Sequence, residues 1–364
     1  MSQKHEHIPI WNLYYMLSYA FRDLDWDNYK NAEAEEFENA YDFFSWWLAK
    51  EIERQRRRGL HREYVNHEED LVSPHGKINM PGTIKNRLAR KQALACEYDE
   101  LSENNLLNQI LKTTSLRLLG CAAVGQKNKA ALRKEMLFFA NVDTTDLKRV
   151  RWANLHYQRG NKFYRDLIGI CRFILEGSPG NDKSGARTDY FNPDNMPALY
   201  EKFILGYYKK EHTELEEVDN PEIKWAGVSD DELGMLPKMR TDILLRKDNN
   251  ILIIDAKFYA QNIQDRYESE KIISENLYQI FAYVKNKDAD PKLKEVPHKV
   301  SGMLLYAATN KETQPNQPKG NWTICGNQIS VEALDLNCKF DEVRKQLDEI
   351  AIVHFGGDIL KDMP

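Results

Sequence analysis

The stretch MRTDILLRKDNNILIIDAKFYAQ, Met239 to Gln261, constrains this chain more than any other. Two apolar runs, Thr241 to Arg246 and Ile251 to Tyr259, read as strands, and the KDNN between them is turn material, so the pair is expected as an antiparallel hairpin. Yet the first run opens on Asp242, and the second carries Asp255 and Lys257 near its end. Side chains alternate across a strand, which puts Asp255 and Lys257 on one face and Ile254 and Ala256 on the other. The turn folds Asp242 back beside that pair. Charges in the middle of a sheet cost on the order of several kcal/mol unless they are paired or bind a metal. Two adjacent carboxylates repel, and a divalent cation relieves the repulsion: Mg²⁺ takes one or two carboxylates and keeps waters for substrate phosphates. Asp242 and Asp255 are therefore the expected metal-binding acids. Lys257 stands where it can hold the attacking water or stabilise charge on a phosphate in transfer. The expected chemistry is metal-assisted phosphodiester hydrolysis.

The surroundings of the hairpin extend this reading. A helix over Ala198 to Leu215, with Glu201 in its first turn, precedes it, and one from about Ser269 to Val284, with Gln279 and Tyr283, follows. Then come an apolar strand over Val300 to Ala308, another around WTICGNQISVEAL, and a last helix over Phe340 to His354. This order describes an α/β domain of about 150 residues, a normal domain size.

The N-terminal half has a different texture. Helical spacing covers Ile8 to Phe21 and Ala32 to Arg58, the second ending at Gly59 as its C-cap. Further helices are expected over Leu101 to Leu119, with Ser102 as N-cap, Ala130 to Phe139 and Asn161 to Leu175. Leu60 to Thr83, broken by Pro74, Gly76, Pro81 and Gly82, reads as small strands or a projecting hairpin. Glu176 to Asn195, rich in Gly, Pro, Asn and Asp, reads as a long exposed loop at a domain boundary. The expected fold is α+β overall: a helical domain with small strands over residues 1–180, then an α/β domain with a central mixed sheet over 190–364.

Composition excludes several function classes. A chain of 364 residues with 42% hydrophobic content buries enough core for two domains, and a net charge of -5 does not announce a nucleic-acid binder, so DNA contact must come from local patches or a partner. The five cysteines fall in no C-x-x-C or Cys/His cluster, which argues for reduced thiols and against zinc. No signal peptide is expected, since Asn12 and Ser18 interrupt the N-terminal apolar stretch, and no apolar run is long enough to span a membrane. No phosphate loop of the form G-x-x-x-x-G-K-[ST] occurs: neither GKI at Gly76 to Ile78 nor GNDKSG at Gly180 to Gly185 fits, so the chain is not expected to hydrolyse nucleotide by itself. The charge runs Arg54 to Gly59 and Lys85 to Lys91 fit either contact with phosphates or an acidic partner surface, or a solvated face, the commoner case at a helix end, and Phe43, Phe44, Trp46 and Trp47 read as core or interface. His5, His7, His61, His67 and His75 show no metal spacing.

At the hairpin the chain resembles the PD-(D/E)xK nuclease superfamily through TD, IIDAK and the following QIFAY. The resemblance is wider than that. IPIWNLYYMLSYAF, HGKINMPGTI, YDELSENNLLNQILKTT, LYEKF, LPKMRTDILL, ILIIDAKFY and ENLYQIFAYV, in that order, are similar to the McrC family, nuclease subunits of McrBC modified-cytosine restriction systems. This resemblance implies a C-terminal PD-(D/E)xK endonuclease domain in which Asp242 and Asp255 bind Mg²⁺ and Lys257 is the catalytic lysine. Glu201 and Gln279 follow as candidates for metal contact or for orienting the site. Thr241 stands where the superfamily name has proline, and the second acid is Asp, not Glu. The resemblance also implies an N-terminal half that docks on a hexameric McrB-like AAA+ GTPase, with a projection entering its channel. Residues 60–83 are the candidate projection. GTP would be bound by that partner, which also recognises double-stranded DNA carrying modified cytosine, in a bacterial or archaeal cytoplasm. Two other readings are a non-catalytic assembly and GTPase-activating subunit with a retained nuclease fold, and a stand-alone Mg²⁺ nuclease.

Overall fold

The computed structural model of the chain describes residues 8–21, 37, 39–157, 161–176, 195–228, 236–258, 274–291, 293, 297–309 and 319–356. It divides into two compact units, one of residues 36–191 and one of residues 1–35 with 192–364. The expected boundary loop lies outside the described residues. The first helix, α1 (Ile10–Ala20), clusters with the C-terminal residues and not with those that follow it, unlike the expected 1–180 division.

The 36–191 unit is built on helices. In α2 (Ala40–Arg58) the Asn39 side chain caps the start by accepting from Asp42 N at 3.0 Å, Asp42 and Arg56 to Arg58 suit the two ends of the helix dipole, and Gly59 at φ 91° closes it. Phe43, Phe44, Trp47, Leu48 and Ile52 are buried, as the core reading expects. The arginines form ion pairs within this unit, Arg54 with Glu51, Arg56 with Glu135 and Arg57 with Glu53.

The next stretch holds β1 (Glu63–Leu71), β2 (Lys77–Ile78), α3 (Met80–Leu88) and β3 (Leu94–Ser102). The strands exist, but the hairpin between them does not. β3 lies in the middle, pairing antiparallel with β1 from Glu63↔Ser102 to Leu71↔Leu94 and with β2 on its other edge. This small sheet is almost bare: Cys96 is its one buried strand residue, and Met80, Ile84 and Leu88 form an exposed apolar row along α3. The helices α4 (Leu106–Gly120), α5 (Gln126–Met136) and α6 (Lys162–Glu176) complete the unit. The α4 cap is Asn105, which accepts from Asn108 N at 3.1 Å, and not Ser102, which ends β3. Both residue types cap helices, and strand pairing claimed the earlier one.

The other unit carries α7 (Met196–Glu211), β4 (Glu217–Asp219), β5 (Glu222–Ile223), β6 (Met239–Arg240), β7 (Ile243–Lys247), β8 (Asn250–Lys257), α8 (Ser274–Asp288), β9 (Lys299–Ala308), β10 (Gly320–Ile324), β11 (Asn327–Asp335) and α9 (Phe340–Phe355). Six strands form a mixed sheet in the order β10-β11-β9-β8-β7-β4, while β5 and β6 pair apart. β8, β9 and β11 run parallel as neighbours, and the β7-β8 and β10-β11 pairs are antiparallel hairpins. The β7-β8 turn places Asp248 at φ 51° with Lys247 opposite Asn250, the tight two-residue turn that KDNN foreshadows.

Ile251 and Ile253 of β8, Val300 and Leu304 of β9, and Ile280, Tyr283 and Val284 of α8 share one core on one face of this sheet. Gly302 lets α8 approach β9, because a Cβ there would stand 2.7 Å from Val284 Cγ2. Elsewhere in the unit, α1 crosses α7 at Gly206, where a Cβ would collide with the Tyr19 carbonyl. Asn12 of α1 donates to the Leu336 and Cys338 carbonyls, and Tyr15 stacks on Phe340 at 4.2 Å.

Candidate active site

The core row Ile251, Ile253 on β8 continues, by strand alternation, through Asp255 and Lys257. The two charges therefore extend an apolar stripe toward the end of the strand and lie on the α8 side. The antiparallel register sets Ile243 against Ile254, so the next step sets Asp242 against Asp255. Asp242 is fixed there: its Oδ2 accepts from Ala256 N at 2.9 Å. Asp255 is 1% exposed, and its Oδ2 stands 2.8 Å from Lys257 Nζ. The same ammonium donates to Gln279 Oε1 at 3.0 Å, and Gln279 Nε2 donates to Tyr283 OH at 3.0 Å. Lys257, which can only donate, turns Gln279 Oε1 toward itself, and the Tyr283 hydroxyl accepts from the other end of the amide.

The five residues singled out in the sequence occupy one neighbourhood. Burial is the largest cause pushing the Asp242 carboxyl up to about 7, with the negative charges of Asp255 and Glu201 adding to it and the Ala256 N–H and Lys257 opposing. Burial also raises Asp255, in spite of its ion pair with Lys257. Glu201 on α7 is raised by burial and by Asp255, against the charges of Lys257, Lys202 and Arg240. These carboxyls are held high because they are crowded and dry.

The donor set fits a hard divalent cation. Asp255 Oδ1 is buried and accepts no hydrogen bond from the described residues, and Asp242 faces it in register with the second carboxylate. Among the described residues no group of three or more His, Cys, Asp or Glu forms a closed metal cage. Two carboxylates in an incomplete shell suit Mg²⁺, which retains several waters. Sequence reading did not single out Asn276, which is buried one turn before Gln279 and donates to Tyr306 OH at 2.9 Å. Tyr306 lies opposite Lys257 in the β8-β9 register. The i, i+3 spacing of Asn276 and Gln279 was the available signal.

A family model described as McrBC 5-methylcytosine restriction system component matches residues 4–296. The chain is 28% identical over 348 residues to the type IV methyl-directed restriction enzyme EcoKMcrBC of Escherichia coli strain K12, covering 94% of this chain and 97% of that one. Its fold is similar to a chain in the refined half-complex from the tetradecameric assembly of Thermococcus gammatolerans McrB AAA+ hexamers with bound McrC. The TM-score there is 0.50 at 21% identity, covering 94% of this chain and 76% of that one.

Proposed function

The chain belongs to the McrBC 5-methylcytosine restriction system component family, and from that premise we propose that it is the DNA-cutting subunit of a nucleotide-driven restriction complex. The observation that carries the reading is the buried corner in which Asp242 and Asp255 face each other beside Lys257. Asp242 and Asp255 would hold Mg²⁺, which when bound polarises a phosphoryl oxygen and lowers the pKa of the attacking water.

The chain's own groups do the rest. Lys257 Nζ, gripped by Asp255 and Gln279, keeps a fixed positive charge where negative charge grows on the scissile phosphate. Glu201, raised by burial, adds a third carboxylate near the pair and would help to orient the site. The unit is of the PD-(D/E)xK type, its target DNA with 5-methylcytosine.

Nucleotide chemistry belongs to a partner, a hexameric McrB-like AAA+ GTPase. The chain itself carries no phosphate-loop sequence. The partner docks on the 36–191 unit, with the small sheet and α3 as the projection that stimulates it. The bareness of that projection supports this, since Leu88 at the end of α3 is 82% exposed and Val72, just past β1, is 88% exposed.

The test is cleavage of cytosine-methylated plasmid by this chain with its AAA+ partner, GTP and Mg²⁺, with GTP hydrolysis followed in the same reactions. Asp255→Asn is expected to lower cutting by about a hundredfold or more and to leave GTPase stimulation unchanged. Equal cutting by variant and wild type would make the chain an assembly and activating subunit instead.

A further inference from the structure

A site holding Asp242, Asp255 and Glu201 against one lysine is negative on balance, and a DNA phosphate must approach it. Beyond a bound cation, some positive group at the rim has to offset that repulsion. The charge of Lys257 reaches all three carboxylates, and those of Lys202 and Arg240 reach Glu201. Two of these cations are engaged. Lys257 is held by Asp255 and Gln279, and the Lys202 ammonium rests over the Phe21 ring, 5.3 Å from its centroid.

Arg240 differs. It ends β6 two residues before Asp242 and is exposed, with no side-chain ion pair or hydrogen bond to the described residues, although its charge also acts on Asp219 of β4. Its backbone is pinned: β6 pairs with β5 at Glu222↔Arg240, and the next residue, Thr241, is buried with its hydroxyl donating to the Pro221 carbonyl at 3.1 Å. A guanidinium on a fixed stem beside an acidic corner is suited to grip a phosphate oxygen pair, which a planar fork meets in two parallel hydrogen bonds.

We propose that Arg240 is a DNA-backbone contact that seats a phosphate next to the Asp242–Asp255 corner, and so a positioning residue for the cutting reaction. This rests on the nuclease reading of the same site. It assigns Arg240 affinity for the backbone and no base preference, since phosphate contacts carry no sequence information.

The experiment uses the full chain with its AAA+ partner on methylated plasmid, comparing wild type, Arg240→Gln, Arg240→Lys and Asp255→Asn across a salt series. Arg240→Gln is expected to raise the KM for DNA about tenfold. The slope of log(kcat/KM) against log salt should become shallower by about 0.9, the value for one lost phosphate contact. Arg240→Lys should restore the slope and part of the KM. Asp255→Asn reads the parent proposal separately: if it abolishes cutting while Arg240→Gln leaves KM and slope unchanged, the Arg240 assignment alone falls. If Asp255→Asn cuts normally, the nuclease reading falls first and the Arg240 role with it.

Discussion

Asp242 and Asp255 are held together against their own repulsion, and this has a measurable cost. An ordinary aspartate is ionised well below neutrality, whereas burial and two neighbouring carboxylates push Asp242 up to about 7. The folded chain therefore holds a proton that the unfolded chain has released, and without metal its stability falls as pH rises from about 4 to about 7. Asp242→Asn should raise Tm at pH 8 by a few degrees, with the gain vanishing near pH 4. Mg²⁺ should raise the Tm of the wild type at pH 8 and leave that of Asp242→Asn unmoved. A melting series with and without Mg²⁺ measures both, and a variant no more stable than the wild type at pH 8 would contradict the crowding argument. At this scale the sequence was unusually legible. An aspartate and a lysine two apart on an apolar strand leave few physical options, and the turn fixed which upstream acid met them. Arg240 was not legible, because an exposed arginine in sequence looks like any other solubilising charge.

Among the elements, α8 is the one whose placement matters most for the site, since it brings Gln279 to Lys257. It is seated on β9 at Gly302, with Val284 and Ile280 closing over the missing side chain. Gly302→Ala should cost about 1–3 kcal/mol through overpacking and should slow cutting by displacing Gln279; unchanged Tm and unchanged rate together would show that α8 tolerates the shift. A second tie joins α7 to α9. Buried His212, just past the end of α7, faces Glu214 at 2.7 Å and Asp348 of α9 at 3.1 Å, and Asp348 also accepts from Tyr207 OH at 2.5 Å. Burial works against the charged imidazole, but the two carboxylates prevail and raise its pKa. That stabilisation is present at acid pH and is lost as pH rises above about 6.5. His212→Gln should remove this pH-dependent component from the unfolding free energy, measured by urea titration between pH 5 and 8. Local periodicity found most elements to within a few residues. It failed where pairing is non-local: β1 and β2 are close in sequence, but their common partner β3 is supplied after α3, and no turn signal announces that.

Over the whole molecule, the two compact units offer a separation of tasks. Ile84→Glu on the exposed row of α3 should leave folding and the Asp242–Asp255 corner intact, because the side chain is not buried, and should reduce stimulation of the partner's GTP hydrolysis several-fold. Normal stimulation by that variant would remove α3 from the docking surface. The clustering of residues 1–35 with 192–364 makes a sharper prediction. Residues 190–364 alone lack α1, so they should be expressed as an aggregating or poorly folded fragment, and fusing residues 8–21 back should restore a cooperative melt. Sequence did not suggest the return of the first helix, since amphipathic spacing says that a helix has a partner and not which one.

The position of α1 also sets a timetable. It is the first described helix to leave the ribosome, yet Tyr207 and Phe340, against which Tyr19 and Tyr15 pack, are made about 190 and 320 residues later. At roughly 5–20 residues per second, a strip of tryptophan and tyrosine waits on the order of ten seconds to a minute for its seat. During that interval the nascent chain is a substrate for whatever binds aromatic helices, and the unit that carries the Asp242–Asp255 pair closes only once α9 has been made. Premature release, by a truncating mutation or a stalled ribosome, would leave α1 and α7 without α9, so the order of synthesis decides when this unit can close.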